Sequence, residues 1–168
     1  AIAITDTSNM FGVLEFSIEM VSNGIQPIIG IQVNISGVTN LDNSIGEVVL
    51  IAKNEIGYKN LLVLTSKLSN NSEFDKFINY EDLKNFRDGI ILLTGGIENG
   101  FVGKPASLGN IRLVNERLGI LKKLFEDNLY IELQRHGIKS QINAEKTLID
   151  ASENFDPVSY THLRAHET

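Results

Sequence analysis

Apolar residues in the first thirty positions change period twice. Ala1–Thr5 is a short uncharged run rich in β-branched residues and ending at Asp6, which predicts a strand buried on both faces. Phe11, Leu14, Ile18 and Val21 then recur at three- and four-residue steps, with Glu15, Ser17, Glu19 and Ser22 between them. That spacing places one apolar stripe on a helix and predicts that the stripe faces a core. Asn23-Gly24 ends the helix, Pro27 follows, and Ile28–Val33 begins a second strand. Strand, helix and strand in this length make a βαβ unit with parallel strands and a right-handed crossover. The polar residues Asp6, Ser8 and Asn9 at the first strand's end are expected to cap the helix.

The alternation continues. Ser36 to Gly46 is polar and lacks a period, so a surface loop is expected there. Glu47–Lys53 predicts a third buried strand, and Leu61, Leu64 and Leu68 the inner side of a helix, followed by a loop over Ser69 to Glu73. Asn79 and Asp82 have the spacing of a short capping box for a helix over Tyr80–Phe86. Ile90–Thr94 reads as a fourth strand, and Asn110–Glu126 as a helix with Val114, Leu118, Leu121 and Phe125 inward. Leu129–Leu133 is a fifth strand, and a last helix covers Gln141 to Glu153. Alternating strands and helices predict an α/β fold, either a parallel barrel or an open sheet.

Composition narrows the possibilities. The chain has 168 residues, 42% of them hydrophobic, with no apolar run near the ~20 residues of a membrane span. No membrane association is expected. A formal net charge of -6 argues against a grip on nucleic acid by this acidic chain itself, because phosphate binding needs clustered Lys and Arg. The absence of Cys excludes disulfides and thiolate chemistry and suits a reducing, cytoplasmic setting. The chain opens inside a strand without Met, as a fragment of a longer protein would. Residues 158–168 break the preceding pattern and resemble a translated adaptor tail, so they are set aside as non-native, His162 and His166 included.

Candidate chemistry is sparse. His136 is the only histidine outside that tail, so no nucleophile triad can be assembled. Asp6, Glu47 and Glu132 are carboxylates that can approach one rim at the strand ends, where Asn9 and His136 also stand. Gly95, Gly96, Gly100 and Gly103 follow the fourth strand with neither P-loop nor dinucleotide-binding spacing, so tight turning is expected of them rather than phosphate binding.

Five ordered blocks carry a resemblance: Ala1–Gly12, Gln26–Gly30, Ala52–Leu61, Gly89–Gly96 and Glu132–Gly137. Together they resemble the N-terminal polymerase-and-histidinol-phosphatase (PHP) domain of bacterial replicative polymerase alpha subunits. The resemblance covers residues 1–157 as a partial PHP domain and implies an incomplete, distorted seven-stranded β/α barrel of TIM-like type. It also implies a parent DNA-directed DNA polymerase that uses Mg for nucleotide transfer, works in chromosome replication and is partnered by a proofreading exonuclease and other replicase subunits. DNA would be held by that parent rather than by this piece. The family's first strand with His-x-His and its closing strand with Asp-x-His are expected to lie outside the chain.

By the same resemblance, metal-binding members carry His, Glu, His and Cys where this chain has Thr7, Gln32, Glu47 and Gly96. Thr and Gln are weak neutral donors and Gly offers no side chain, so a degenerate metal site is expected, with no cofactor and no catalytic residue in this piece. The expected function is a noncatalytic scaffold supporting the polymerase and its exonuclease. The alternatives are a free-standing metal-dependent phosphoesterase of the same superfamily and a nucleotide-binding module built on Gly95–Gly103.

Overall fold

The computed structural model describes residues 1–36, 45–70, 77–135, 138–155 and 160–164. Most of the expected loop at 36–46, the end of that at 69–73, His136, Gly137 and the side chains of the set-aside tail lie outside the described residues. The strands are β1 (Ile2–Thr7), β2 (Pro27–Ser36), β3 (Gly46–Ala52), β4 (Ile78–Asn79), β5 (Ile90–Leu93), β6 (Leu129–Arg135) and β7 (Tyr160–Arg164). The helices are α1 (Val13–Ser22), α2 (Glu55–Asn70), α3 (Tyr80–Asn85), α4 (Gly103–Ser107), α5 (Ile111–Phe125) and α6 (Lys139–Glu153). Among the described residues none is long and apolar enough to cross a membrane.

The fold is mixed α/β, a curled sheet with the outline of a half-barrel. Its order is β1-β2-β3-β5-β6-β7, with the two-residue β4 beside β2 beyond the end of β1. This arrangement is compatible with the barrel expected from the resemblance, but a closed seven-stranded barrel is not what is seen. β1 and β7 lie at opposite edges, and among the described residues β1 pairs only with β2. As an edge strand β1 is exposed to half-buried rather than buried on both faces. The sheet also reaches into the tail, where β7 runs parallel to β6 from Ile131↔Tyr160 to Arg135↔Arg164.

The expected parallel barrel is corrected at β3, which runs antiparallel to both β2 and β5. β1 with β2, β5 with β6, and β6 with β7 are parallel. A parallel return needs a crossover of a dozen or more residues, usually a helix, whereas an antiparallel return can be made by a short connection. The stretch between β2 and β3 has no helical period, so its length and polarity already favoured the reversal.

One face of the sheet carries the core. Ile31, Val33 and Ile35 of β2, Val48 and Leu50 of β3, Ile90 and Leu92 of β5, and Leu129, Ile131 and Leu133 of β6 are all buried. They join the inner stripes of α2 (Leu61, Leu64, Leu68), α5 (Val114, Leu118, Leu121, Phe125) and α6 (Ala144, Leu148, Ala151) in one cluster. These stripes match the periodicity in the sequence. The expected cap of α3 also forms, the Asn79 side chain accepting from the Asp82 N–H at 2.8 Å. Asn110 likewise accepts from the Leu113 N–H at 3.2 Å and starts α5.

α1 departs from its expected register. Val13 is buried and Phe16, Ser17 and Met20 are half-buried, whereas Phe11, Leu14, Ile18 and Val21 are exposed. Two apolar registers overlap in this helix, and the start of the crossover selects between them. Gly12 is its N-cap, so close to β1 that a Cβ there would lie 3.1 Å from Asp6 Oδ2 and 3.2 Å from Ile4 Cδ1. That contact fixes the inner side of α1, and Ser17 there satisfies its hydroxyl by donating to the Val13 carbonyl at 2.7 Å.

The Ala52–Leu61 block has a structural use. The Asn54 side chain accepts from the Gly57 N–H at 3.0 Å, and the Lys53 N–H donates to the Gly89 carbonyl at 2.8 Å. A Cβ on Gly57 would sit 1.9 Å from that carbonyl oxygen, so α2 can meet the loop before β5 only through glycine. Gly57→Ala should therefore cost about 3 kcal/mol by overpacking. Gly24→Ala, where φ is +69 and nothing lies within 4 Å, should cost only the left-handed backbone penalty of about 1 kcal/mol. Urea denaturation midpoints of the two variants measure the difference.

Candidate functional site

The carboxyl ends of β1, β2, β5 and β6 share one rim. Because β3 is reversed, its amino end comes to the same rim and brings Glu47 with it. In register, Thr7 pairs with Gln32, Gln32 with Val49, and Asn34 with Glu47. A cavity of about 270 Å³ opens there, lined by Gln32, Glu47, Val49, Gly96, Glu98, Asn99, Glu132 and Gln134. Three of the four positions singled out in the sequence, Gln32, Glu47 and Gly96, therefore meet. Thr7 does not line this cavity and opens onto a second groove with Ser8, Asn9, Met10 and Phe11.

The rim carboxylates separate in the same way. Glu47 and Glu132 share the cavity, but Asp6 lies against Gly12 on the side of β1 that α1 covers. No side chain caps α1, contrary to expectation. Asn9 instead holds the turn leading into the helix, its Nδ2 donating to the Thr7 carbonyl at 2.9 Å and its Oδ1 accepting from the Phe11 N–H at 3.0 Å. Ser8 adopts a left-handed backbone, φ 59, and its N–H donates to the Gln32 carbonyl at 2.8 Å. His136 lies outside the described residues.

Glu132 is the most deeply set charged group of the cavity, 6% exposed. Its own N–H donates to Thr94 Oγ1 at 3.1 Å, which fixes the strand beneath it. Burial pushes its carboxyl above the ordinary value; Gln134 pulls the other way, donating Nε2 to Glu132 Oε1 at 2.6 Å, and the negative charge of Glu47 adds a further upward push. Gln134, Glu98 and Asn99 were not among the residues the sequence singled out. Gln134 stands two residues beyond Glu132 and hence on the same strand face, a legible signal. Glu98 and Asn99 sit in a glycine turn with no period to place them.

That turn explains the glycines. A Cβ on Gly100 would lie 2.0 Å from the Gly96 carbonyl oxygen, and one on Gly103 2.3 Å from the same atom. The turn folds back on itself and grips β3: the Glu47 N–H donates to the Asn99 carbonyl, and the Phe101 N–H to the Glu47 carbonyl, both at 2.8 Å. The N–H groups of Gly100, Val102 and Lys104 also reach internal carbonyls. Donors engaged in this way are not free to cradle phosphate. α4, unforeseen in the sequence, is the short helix that completes the turn.

The donor set does not suit the family's metal cluster. Gln32 offers a neutral carboxamide, and Gly96 offers no side chain, the Gln134 amide lying where a Cβ would stand, its Nε2 2.7 Å away. Among the described residues no group of three or more His, Cys, Asp and Glu is placed to hold a metal ion. What the cavity can do is hold a proton on Glu132 and present amide and carboxylate oxygens to a polar or cationic group.

A family model described as the PHP domain matches residues 1–136. The chain belongs to the PHP domain family. Curated relatives place the same region in a larger protein. The DNA polymerase III subunit alpha of Rickettsia bellii is 36% identical over 143 residues, that of Borreliella burgdorferi 33% over 159, and that of Haemophilus influenzae 32% over 157. These matches cover 84%, 90% and 93% of this chain but only 12%, 14% and 13% of those proteins. The chain thus spans about one-eighth of the length of the relatives it resembles. In this PHP chain the rim cavity is lined by three carboxylates and three amide side chains.

The raised Glu132 carboxyl has a definite sign. Its folded pKa lies above the unfolded value of 4.5, so the native state holds the proton more tightly. The resulting stabilisation is complete below that unfolded value and is lost as pH rises through the folded pKa. Glu132→Gln keeps an acceptor for Gln134 and removes the charge. It should melt above the parent at pH 8, with the difference closing toward pH 4, as followed by circular dichroism.

Proposed function

We propose that this chain is the PHP region of a bacterial replicative DNA polymerase alpha subunit, and that it acts there as a noncatalytic scaffold. The observation that carries the reading is the set of DNA polymerase III alpha matches, which span 84–93% of this chain and fall on its PHP region. The whole protein would be a Mg-dependent DNA-directed DNA polymerase of the cytoplasm, copying the chromosome with a proofreading exonuclease and other replicase subunits as partners. DNA would be held elsewhere in that protein, consistent with the acidic balance here.

The scaffold role is supported by the rim. Metal-assisted hydrolysis needs several donors converging on an ion so that it can acidify a bound water. A carboxamide at Gln32 and a glycine at Gly96 supply poor donation or none, and the exposed Thr7 faces another groove. Glu47, Glu98 and Glu132 line the cavity, but among the described residues they do not form a group placed to hold a metal ion together. The polar rim is then a place for contacts, and the buried sheet beneath it gives those contacts a stiff base.

The experiment is to express the complete reading frame from the source DNA and assay two activities. Primer extension with Mg should be present, and release of phosphate from p-nitrophenyl phosphate with added Mn or Zn should stay at the level without metal. Metal-stimulated phosphate release would overturn the scaffold role and favour the phosphoesterase reading. A reading frame that ends shortly after the barrel, without primer extension, would overturn the polymerase assignment.

A further inference from the structure

Asn is followed by Gly at Asn23-Gly24 and again at Asn99-Gly100. Such a pair is a labile setting for a carboxamide, because the glycine nitrogen has no side chain beside it to hinder its approach to the asparagine Cγ. The fold treats the two pairs differently. Asn23 and Gly24 close α1 and are both exposed, and a Cβ on Gly24 would meet nothing within 4 Å. The Gly24 N–H donates to the Val21 carbonyl at 3.0 Å, and Asn23 Nδ2 to the Glu19 carbonyl at 2.9 Å, so both groups are tied only to the last turn of their own helix. Bonds at a helix end open readily, without loss of the rest of the fold.

Asn99-Gly100 is held from several sides. The Gly100 N–H donates to the Gly96 carbonyl and the Asn99 carbonyl accepts from the Glu47 N–H, both at 2.8 Å. Gly100 is buried, so close to Gly96 that a Cβ would lie 2.0 Å from its carbonyl oxygen. Freeing this nitrogen means lifting the turn off β3, a larger opening than the fraying of a helix end.

We propose that Asn23 is a site of spontaneous deamidation, and that the glycine turn protects Asn99 at the rim from the same reaction. The Gly24 nitrogen, having given up its proton, attacks Cγ of Asn23; the new C–N bond closes a cyclic imide, the Cγ–Nδ2 bond breaks, and ammonia leaves with that proton. Water then opens the imide at either carbonyl, to aspartate or to isoaspartate. The new carboxylate stands four residues after Glu19 at the carboxyl end of a helix with no Lys or Arg, where negative charge is unfavourable. Isoaspartate also lengthens the backbone just before β2. Ageing of the chain thus falls on its first crossover and leaves the rim unchanged. No metal, partner or polymerase activity enters the reaction.

The test keeps the folded 168-residue chain in mildly alkaline buffer and follows peptide masses after proteolysis, with fragment ions locating each converted residue. Asn23 should convert at least about tenfold faster than Asn99, a difference of ~1.4 kcal/mol in the cost of opening. In urea that unfolds the chain the two rates should converge. In the same urea, where folding no longer matters, Gly24→Ala should slow conversion at Asn23 several-fold and leave Asn99 unchanged. Both aspartate and isoaspartate should appear at Asn23. Equal rates at the two sites in the folded chain, or an Asn23 that converts only in urea, would overturn the claim that the fold selects between them. Aspartate without isoaspartate, or indifference to Gly24→Ala in urea, would overturn attack by the Gly24 nitrogen.

Discussion

The grip of the glycine turn on the amino end of β3 sets the geometry of the rim. β3 runs against its neighbours, so the residue at its start, rather than at its end, stands among the carboxyl ends of the other strands. Two backbone bonds hold it there, Glu47 N–H to Asn99 and Phe101 N–H to Glu47. They can form only because Gly95, Gly100 and Gly103 let backbone approach backbone at distances that exclude a Cβ. Phe101 follows the turn into the interior, where the Arg117 guanidinium lies 4.3 Å from its ring and donates to its carbonyl. Arg117 is 4% exposed, a buried cation held by a carbonyl and an aromatic face from the turn. The turn, β3 and α5 are thereby locked together, and the rim cavity sits where they meet.

Within that rim, Glu132 and Gln134 show how the fold accommodates a carboxylate set deep in the cavity. A buried carboxylate beside a second one is costly, and the chain answers with amide donation from Gln134 and with a proton held more tightly than in water. Gly96 leaves room for the amide, which occupies the space beside its Cα. The same four strand ends could carry a different donor set with little change of backbone, because chemistry at this rim is decided by the side chains the strand ends present. Here that set mixes amides with carboxylates.

Much of this was legible before the structure. The stripes of α2 and α5 and the cap at Asn79 follow from period and side-chain chemistry, and each forms where expected. Gln32, Glu47 and Gly96 were picked from separate blocks and meet in one cavity. What stayed hidden is of two kinds. The reversal of β3 left only an indirect trace, the missing helical period of the stretch before it, because a strand itself reads alike in either direction. Gln134, Glu98 and Asn99 join the cavity through a strand face and a folded turn, so their proximity to Gln32 is set by tertiary packing rather than by spacing along the chain. Arg117, on a helix face otherwise read from its apolar residues, is buried because a carbonyl and a ring await it.

α1 shows the limit of period as evidence. Its sequence supports an inner register at Val13, Phe16 and Met20 and a second at Phe11, Leu14, Ile18 and Val21, and the moment of the helix alone cannot rank them. The close contact of Gly12 with β1 ranks them, because a crossover helix begins where the strand-end loop sets it down, and its inner side is counted from that point. An apolar stripe that loses this competition is left at the surface, where an exposed patch of such size is uncommon unless another molecule meets it. The register excluded from the core is thus the one left at the surface, and one contact at the helix start decides both outcomes.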